Sequence, residues 1–386
     1  MSIPSNKPAA QAAPHQPPDA PSPSGVRDTA LRVVVSLDVE EEGLFSGAYA
    51  ATGCTVRNVP LLRRLAPLST ELGFPLTLLC AHTVFADAEA RATLEYMRDH
   101  AGAEIGAHLH HWSTPPLEDS AKAAHGGTAT VYAAAASARA EASKSFGTCA
   151  SAGGRAPVRT HLLPRELLRS RLRSLLAAGR DFQGAPLTSF RMGRWDLKAS
   201  VRPLLAEEGI LVDSSVCPLR VFFGGRPGEP DGPDHFLAPA DPYWPRMPDG
   251  RTPLLESPIT QLPLHPALAR AWRGLLRGRR AVDSFRGFAA FSPNPVWHGA
   301  AVMRMATRLH VARGGRVLHL FWHSSEMLPG ASPHIPHQDA ADALIRKVRD
   351  FLAWLRAHYA VRGVTLSSLH AEPDFPVVDM PAEGDW

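Results

Sequence analysis

Two short segments of the sequence carry the residue types of a metal site. The segment EIGAHLHHW (104–112) has three histidines within four positions, and SLDVEEE (36–42) has four closely spaced carboxylates. Imidazole nitrogens and carboxylate oxygens bind zinc-like divalent ions, and catalytic sites keep one position open for water. A carboxylate outside the ligand set can serve as general base on that water. Together the two segments predict hydrolytic metal chemistry.

The alternation of side chains along a strand narrows the choice of ligands. Residues i and i+2 point to the same face, so Asp38 and Glu40 lie together, as do His108 and His110. His111 points away if the strand continues, but it becomes the second histidine ligand if the chain turns before it. The residues therefore favour His110 and leave His111 open.

The elements that must position these residues alternate between strands and helices. Apolar runs predict strands at 31–38, 74–80, 104–110, 187–193, 210–215, 316–323 and 363–369. Helical patterns occur at 59–73, 87–102, 129–147, 164–179, 197–209, 299–315 and 338–360. Such alternation is typical of a parallel sheet. We therefore predict a distorted (β/α) barrel of about seven strands, in which chemistry gathers at the carboxyl ends of the strands.

Other polar residues fall at the same predicted strand ends. Arg191 and Asp213 follow the fourth and fifth strands, His323 follows the sixth, and Glu326 lies in the next loop. Burying such groups unpaired is costly, so a metal or an ion-pair network is expected where they meet. Arg191 beside Asp38 would favour the ionised carboxylate.

The distribution of prolines sets the predicted domain limits. Residues 1–28 form a proline- and alanine-rich tail that cannot bury enough surface to fold. One domain spans 29–372, with a proline-rich insertion at about 217–298, and 373–386 form a second tail. Twelve prolines fall within 217–266, but Phe222 and Trp244 also lie there, so we expect an ordered excursion.

Composition argues against several classes of protein. The net charge is +4 and the basic residues are scattered, which argues against nucleic-acid binding. The four cysteines form no CxxC pair and no disulfide framework. No apolar run of 18 residues predicts a membrane span. The N-terminus lacks the apolar segment of a secretory signal, so a cytoplasmic protein is expected.

Five segments, in order, resemble the motifs of the polysaccharide deacetylases of carbohydrate esterase family 4, which carry the NodB homology domain. They are SLDVEEEG, GAEIGAHLHHW, SFRMGRW, GILVDSSV and LHLFWHSSEM, and they span roughly 31–370. The resemblance implies a barrel that binds one divalent ion, zinc in the first place, with cobalt, nickel or manganese as alternatives. It also implies removal of N-acetyl or O-acetyl groups from an amino-sugar glycan.

The resemblance implies a role for each matching residue. Asp38 would be the general base, held by Arg191, and His323 the general acid that protonates the leaving amine. The metal ligands would be Glu40 and His108, with His110 as the second histidine. The remaining residues of the sugar groove would be Trp195, Trp112, Asp213 and Glu326.

The chain departs from the family pattern within the second motif. The family places its second histidine four residues after the first, whereas this chain has Trp112 there. His110 or His111 must therefore replace it. Glu326 stands near the position where the family often has aspartate, and it would orient His323 or bind the sugar. The absent signal and the insertion indicate a cytoplasmic branch of this family, whose substrate would be a precursor and not finished wall polymer. The expected partner is an acetylated amino-sugar glycan or a lipid-linked precursor.

Two other functions fit parts of the sequence. An amidohydrolase-type metal barrel also uses a His-x-His pair, but usually on its first strand, about 70 residues earlier than here. A catalytically inactive carbohydrate-binding protein would keep the barrel and the groove, although the retained Asp38, Arg191 and His323 argue against loss of activity. Metal content distinguishes the three functions. The sequence does not predict the sugar or the oligomeric state.

Overall fold

The computed structural model describes residues 30–117, 157–224 and 232–381, apart from positions 48, 248, 253, 277 and 373. The predicted tail at 1–28 and the predicted helix at 129–147 lie outside these residues, as do positions 373 and 382–386 of the predicted C-terminal tail.

The strands of the described chain fall into one large sheet and two small pairs. In chain order they are β1 Leu31–Val39, β2 Leu76–Cys80, β3 Glu104–Leu109, β4 Ser189–Met192, β5 Val212–Asp213, β6 Trp244–Arg246, β7 Leu255–Glu256, β8 Leu262–Pro263, β9 Ala290–Phe291, β10 Val317–His323, β11 Val361–Val364 and β12 Val377–Asp379. The large sheet has the order β10-β1-β2-β3-β4-β5-β7, and β11 pairs with β1. Strands β6 and β12 form one small pair, and β8 and β9 form the other.

Every pairing in the large sheet is parallel. Seven strands follow one path around a curled sheet, which confirms the predicted distorted (β/α) barrel. All nine residues of β1 are buried. A strand covered on both faces by other elements requires such a continuous run of buried residues, and this strand lies inside the sheet.

Helices connect and cover the strands. They are α1 Ala66–Thr70, α2 His82–Phe85, α3 Ala88–Ala101, α4 Arg165–Gln183, α5 Arg202–Glu207, α6 Pro266–Leu275, α7 Arg279–Ala289, α8 Ala300–Ala312 and α9 Gln338–His358. Short 3₁₀ helices occur at Leu44–Ser46, Val59–Leu65, Thr160–Leu162, Gly193–Trp195, Ala199–Val201, Ser324–Met327 and Ser367–Ala371. Helix α3 begins as predicted, because the Asp87 carboxylate accepts the backbone N–H of Ala90.

Three elements differ from the sequence prediction. The predicted helices at 59–73 and 197–209 are each a 3₁₀ helix followed by a short α-helix, with proline near the start of the α-helix. The last of the predicted strands, at 363–369, lies at Val361–Val364 instead, and β12 follows it at Val377–Asp379. The proline-rich excursion supplies β7 to the large sheet, and α6 and α7 follow within the predicted insertion.

Within the described part of the chain, helices that are both long and apolar enough to span a bilayer are absent.

Candidate metal and catalytic site

Parallel register brings the predicted residues to one edge of the sheet. Asp38 on β1 is the register partner of His323 on β10, and His108 on β3 is the partner of Arg191 on β4. A cleft of about 440 Å³ opens at this edge. The cleft is lined by Asp38, Glu40, Leu44, Phe45, Tyr49, His108, His110, Trp112, Arg159, Arg194, Trp195, Arg220, Val221, Phe222, Phe223, Arg279 and His323.

Three buried side chains in the cleft form a group that could hold a metal ion: Glu40, His108 and His110. Their ligand atoms all lie within 4.8 Å of one another. Glu40 Oε2 lies 3.4 Å from His108 Nε2 and 3.3 Å from His110 Nε2. This is the set that strand parity favours over His111.

The second nitrogen of each imidazole fixes which nitrogen faces the cleft. His108 Nδ1 lies 3.0 Å from the Arg191 carbonyl oxygen. A carbonyl only accepts, so Nδ1 carries the proton and Nε2 presents a lone pair. His110 Nδ1 lies 3.0 Å from Glu41 Oε1 and donates in the same way. Both Nε2 atoms can therefore act as metal ligands.

Carboxylates around His110 attract positive charge to this position. Burial disfavours the imidazolium, but the charges of Glu41 and Glu40 outweigh burial and raise the pKa of His110 to about 10. Burial also works against ionised Glu40, yet the nearby histidines lower the pKa of that carboxyl. A proton and a metal ion compete for the same nitrogen, and metal binding releases the proton. The surroundings thus suit a cation.

Glu41 supports the group and was not predicted. Its carboxylate accepts the Ser113 hydroxyl at 3.0 Å and the Thr83 hydroxyl at 3.1 Å, in addition to His110. Burial opposes its ionisation, but the charge and hydrogen bond of His110, with a backbone hydrogen bond, lower the pKa of Glu41 to about 2. Strand parity pointed Glu41 away from Glu40. Because β1 ends at Val39, the chain turns there and both carboxylates face inward.

The Asp38 carboxylate is held by Arg191 through one oxygen, and its other oxygen faces the cleft. Arg191 is fully buried, and its NH1 group lies 2.5 Å from Asp38 Oδ1. The rest of the guanidinium donates to Ser36 Oγ at 2.9 Å and to the Ser214 carbonyl at 2.8 Å. Asp38 Oδ2 lies 3.9 Å from the Nε2 atoms of His108 and His323. One carboxylate oxygen therefore faces the space between the metal group and His323.

His323 is oriented by the loop that follows it. Glu326 Oε2 accepts the His323 backbone N–H at 2.9 Å and lies 3.3 Å from His323 Nδ1. Burial lowers the pKa of the imidazole, but Glu40, Glu326 and Asp38 together raise it to about 9. With its Nδ1 directed to Glu326, the protonated ring presents Nε2–H to the cleft. Glu326 itself is buried and does not line the cleft.

Trp112 and Trp195, both expected from the sequence in a sugar groove, line the cleft. Trp112 stacks on His110 with ring centroids 4.3 Å apart. Trp195 covers the Arg191 guanidinium at 4.8 Å. The turn before it is tight, because a Cβ on Gly193 would lie 2.5 Å from His110 Cδ2. Arg194 and Trp195 both adopt the left-handed region, with φ of 60° and 57°, which strains the backbone here.

Asp213 and His111 lie outside this arrangement. Asp213 is completely buried below the cleft, where it accepts the Ser215 hydroxyl at 2.5 Å and lies 3.6 Å from Arg202 Nε. It does not line the cleft, so the structure does not bring it to a sugar. His111 is also buried and does not line the cleft. Burial, with the charges of Arg171 and Arg194, lowers its pKa to about 3.

Comparison with known proteins gives structural matches only. No protein-family model matches the chain, and no curated protein matches its sequence. A Mycobacterium smegmatis protein described as a polysaccharide deacetylase is 17% identical, with a TM-score of 0.48, over 90% of this chain and 92% of its own. Puue allantoinase is 14% identical, with a TM-score of 0.47, over 91% of this chain and 94% of its own.

A Pseudomonas aeruginosa PAO1 protein described as a polysaccharide deacetylase is also similar. It is 14% identical, with a TM-score of 0.47, and the match covers 89% of this chain and 92% of that one. The chain thus matches several solved polysaccharide deacetylases over about nine-tenths of its length.

Proposed function

We propose that the protein is a metal-dependent hydrolase that removes the acetyl group from an amino sugar of a glycan or glycan precursor. One observation carries the proposal. The free oxygen of Asp38 lies between the group formed by Glu40, His108 and His110 and the imidazole of His323. A base, an acid and a ligand set thus share one cleft, as hydrolysis of an amide requires.

The ligand set fits one divalent ion, with zinc preferred. Two neutral imidazoles and one carboxylate are a usual zinc set that leaves a position open. The Nδ1 atoms are held by a carbonyl and by Glu41, so both Nε2 atoms face the cleft, and that of His110 becomes a ligand once its proton is released. When bound, such an ion activates water and polarises a carbonyl.

The side chains of the cleft divide the proton transfers between them. Asp38 Oδ2 would take a proton from the attacking water, while Arg191 holds the other carboxylate oxygen in place. His323 Nε2 would give a proton to the departing amine, and Glu326 would keep the ring in that orientation. Trp112 and Trp195 would form apolar walls against which a sugar ring packs. The products would be acetate and a free amine.

Release of acetate from N-acetylglucosamine oligomers tests this function. The zinc-loaded protein should release acetate, and Asp38→Asn should lose at least about 100-fold in kcat while keeping its metal. Glu42→Gln is a matched control, because this neighbouring carboxylate pairs with the exposed Arg57 outside the cleft. Near-normal activity in Asp38→Asn would refute the assignment of Asp38 as the general base. Hydrolysis of other amides, with acetylated sugars untouched, would instead favour an amidohydrolase.

A further inference from the structure

The cleft wall carries positive charge that the proposed reaction does not use. Four arginines line the cleft: Arg159, Arg194, Arg220 and Arg279. Arg159 is paired with Asp196, whose Oδ1 lies 3.4 Å away. Among the residues that the structure describes, no carboxylate lies within 4.0 Å of the other three guanidinium groups.

Arg220 is the arginine least satisfied by the protein. Its guanidinium lies over the Trp297 ring, 4.6 Å from the centroid. Its Nε is buried and has no hydrogen-bond partner in the described chain. Arg286 adds like charge nearby, since burial and the charge of Arg220 both lower the pKa of Arg286. A partly buried cation without a counter-charge is costly, and an anion would relieve that cost.

Arg194 and Arg279 are each anchored through one terminal nitrogen. Arg194 NH1 donates to the Pro157 carbonyl at 3.2 Å, and the guanidinium lies 5.2 Å from the Tyr49 ring centroid. Arg279 NH2 donates to the Gly224 carbonyl at 2.9 Å. A guanidinium has five N–H donors, so each group keeps others for a ligand.

We propose that the cleft binds a glycan that carries an oxyanion, a phosphate or a carboxylate, and that Arg220 holds this group with Arg194 and Arg279. The planar fork of arginine matches two oxygens of such an anion, which gives affinity and orientation together. Only the acetylated sugar part of this ligand rests on the proposed function. The anion site stands on the arginines themselves.

Isothermal titration with four sugars tests the proposal. N-acetylglucosamine 1-phosphate and N-acetylglucosamine differ only in the phosphate, and glucuronic acid against glucose tests a carboxylate. The metal-loaded protein should bind one anionic sugar at least about tenfold more tightly than its neutral partner, as charged hydrogen bonds allow. Arg220→Gln should abolish that preference. Arg349→Gln is the control, because Arg349 is exposed, pairs with Glu71 and does not line the cleft.

Further variants separate the anion site from the metal site. His108→Ala should weaken metal binding and keep the preference for the anion, because the arginines are untouched. If Arg220→Gln does not fold, Arg194→Gln and Arg279→Gln take its place, each with a smaller loss of preference. A preference that is absent from the wild-type protein, unchanged in all arginine variants or lost in His108→Ala would overturn the proposal. A preference that depends on Arg220, without acetate release from any sugar, would overturn only the proposed function.

Discussion

Replacing Glu41 with glutamine changes little except the charge behind His110. The glutamine has nearly the same shape, and its oxygen can still accept from His110 Nδ1 and the Ser113 hydroxyl, which lie 3.0 Å from Glu41 Oε1. The Thr83 hydroxyl can rotate to accept from the new amide nitrogen. The ring orientation is therefore kept, and the negative charge that makes His110 a better ligand is lost.

The size of the effect follows from the role of this carboxylate. Glu41 is ionised at neutral pH, because its pKa is lowered to about 2 by His110 and its hydrogen bonds against the effect of burial. Loss of such an outer partner of a metal-binding histidine lowers metal affinity by about 10- to 100-fold. We expect about tenfold for Glu41→Gln, or about 1.4 kcal/mol, and about 100-fold for Glu41→Ala, which also frees the ring.

Zinc affinity measured at pH 7 by competition with a chromogenic chelator checks this expectation. Glu42→Gln serves as the matched control, since Glu42 is the next residue but pairs with Arg57 at 2.6 Å outside the cleft. Its affinity should equal that of the wild-type protein. Wild-type affinity in Glu41→Gln, or an equal loss in Glu42→Gln, would refute the assigned support of His110.

Three further predictions concern the same cleft. Gly193→Ala should weaken metal binding, because the new Cβ would meet His110 Cδ2 at 2.5 Å. Gly287→Ala is the control, because Gly287 has open space around it and the variant should keep the metal affinity of the wild-type protein. Equal affinities in the two variants would contradict the packing argument. His110→Ala should lose the metal while His111→Ala retains it, as elemental analysis can show, and the reverse result would move the ligand to His111. In metal-free protein the pKa values of His110 and His323 are raised to about 10 and about 9. Their protonation therefore stabilises the fold fully below about pH 6.5, and this stabilisation is lost as the pH rises through 9 to 10. A urea midpoint that does not fall over this range would contradict the assignment.

The positions of the main site residues could be predicted because they depend on strand geometry. Asp38, His108, Arg191 and His323 all lie at or near the carboxyl ends of predicted strands. Parallel register then places those ends together, whatever the loops do. Alternation also placed Glu40 beside Asp38. The positions of these residues follow from the geometry of the strands, so they can be predicted from the sequence alone.

Other features depend on contacts that no local pattern reveals. Glu41 faces inward only because β1 ends at Val39. Strand β7 has two residues, too few for any periodicity, yet it places Glu256 beside Asp213 as its register partner. The two carboxyl groups share the buried Arg202 guanidinium, and burial raises the pKa of both. Asp213 is therefore held inside the protein and does not reach the cleft.

The arginines of the cleft wall were also beyond sequence analysis. Arg159, Arg194, Arg220 and Arg279 come from four separate segments, and only Arg279, in the basic segment 273–280, stands out by its spacing from the other basic residues. Only the folded chain brings them to one wall. The resemblance to deacetylases directed attention to the strand ends. Of the four arginines, only Arg194 lies close to such an end.

Strand β1 carries Asp38 and leads directly into Glu40, and it is paired with β2, β10 and β11. Amides of such an interior strand exchange their hydrogens with solvent only in the rarest openings, close to global unfolding. The proposed metal ion should therefore enter and leave through the mouth of the cleft and not through local opening of the sheet. The rate at which a chelator removes the metal should then stay constant as urea is raised through concentrations well below the unfolding midpoint, while the amides of β1 remain protected.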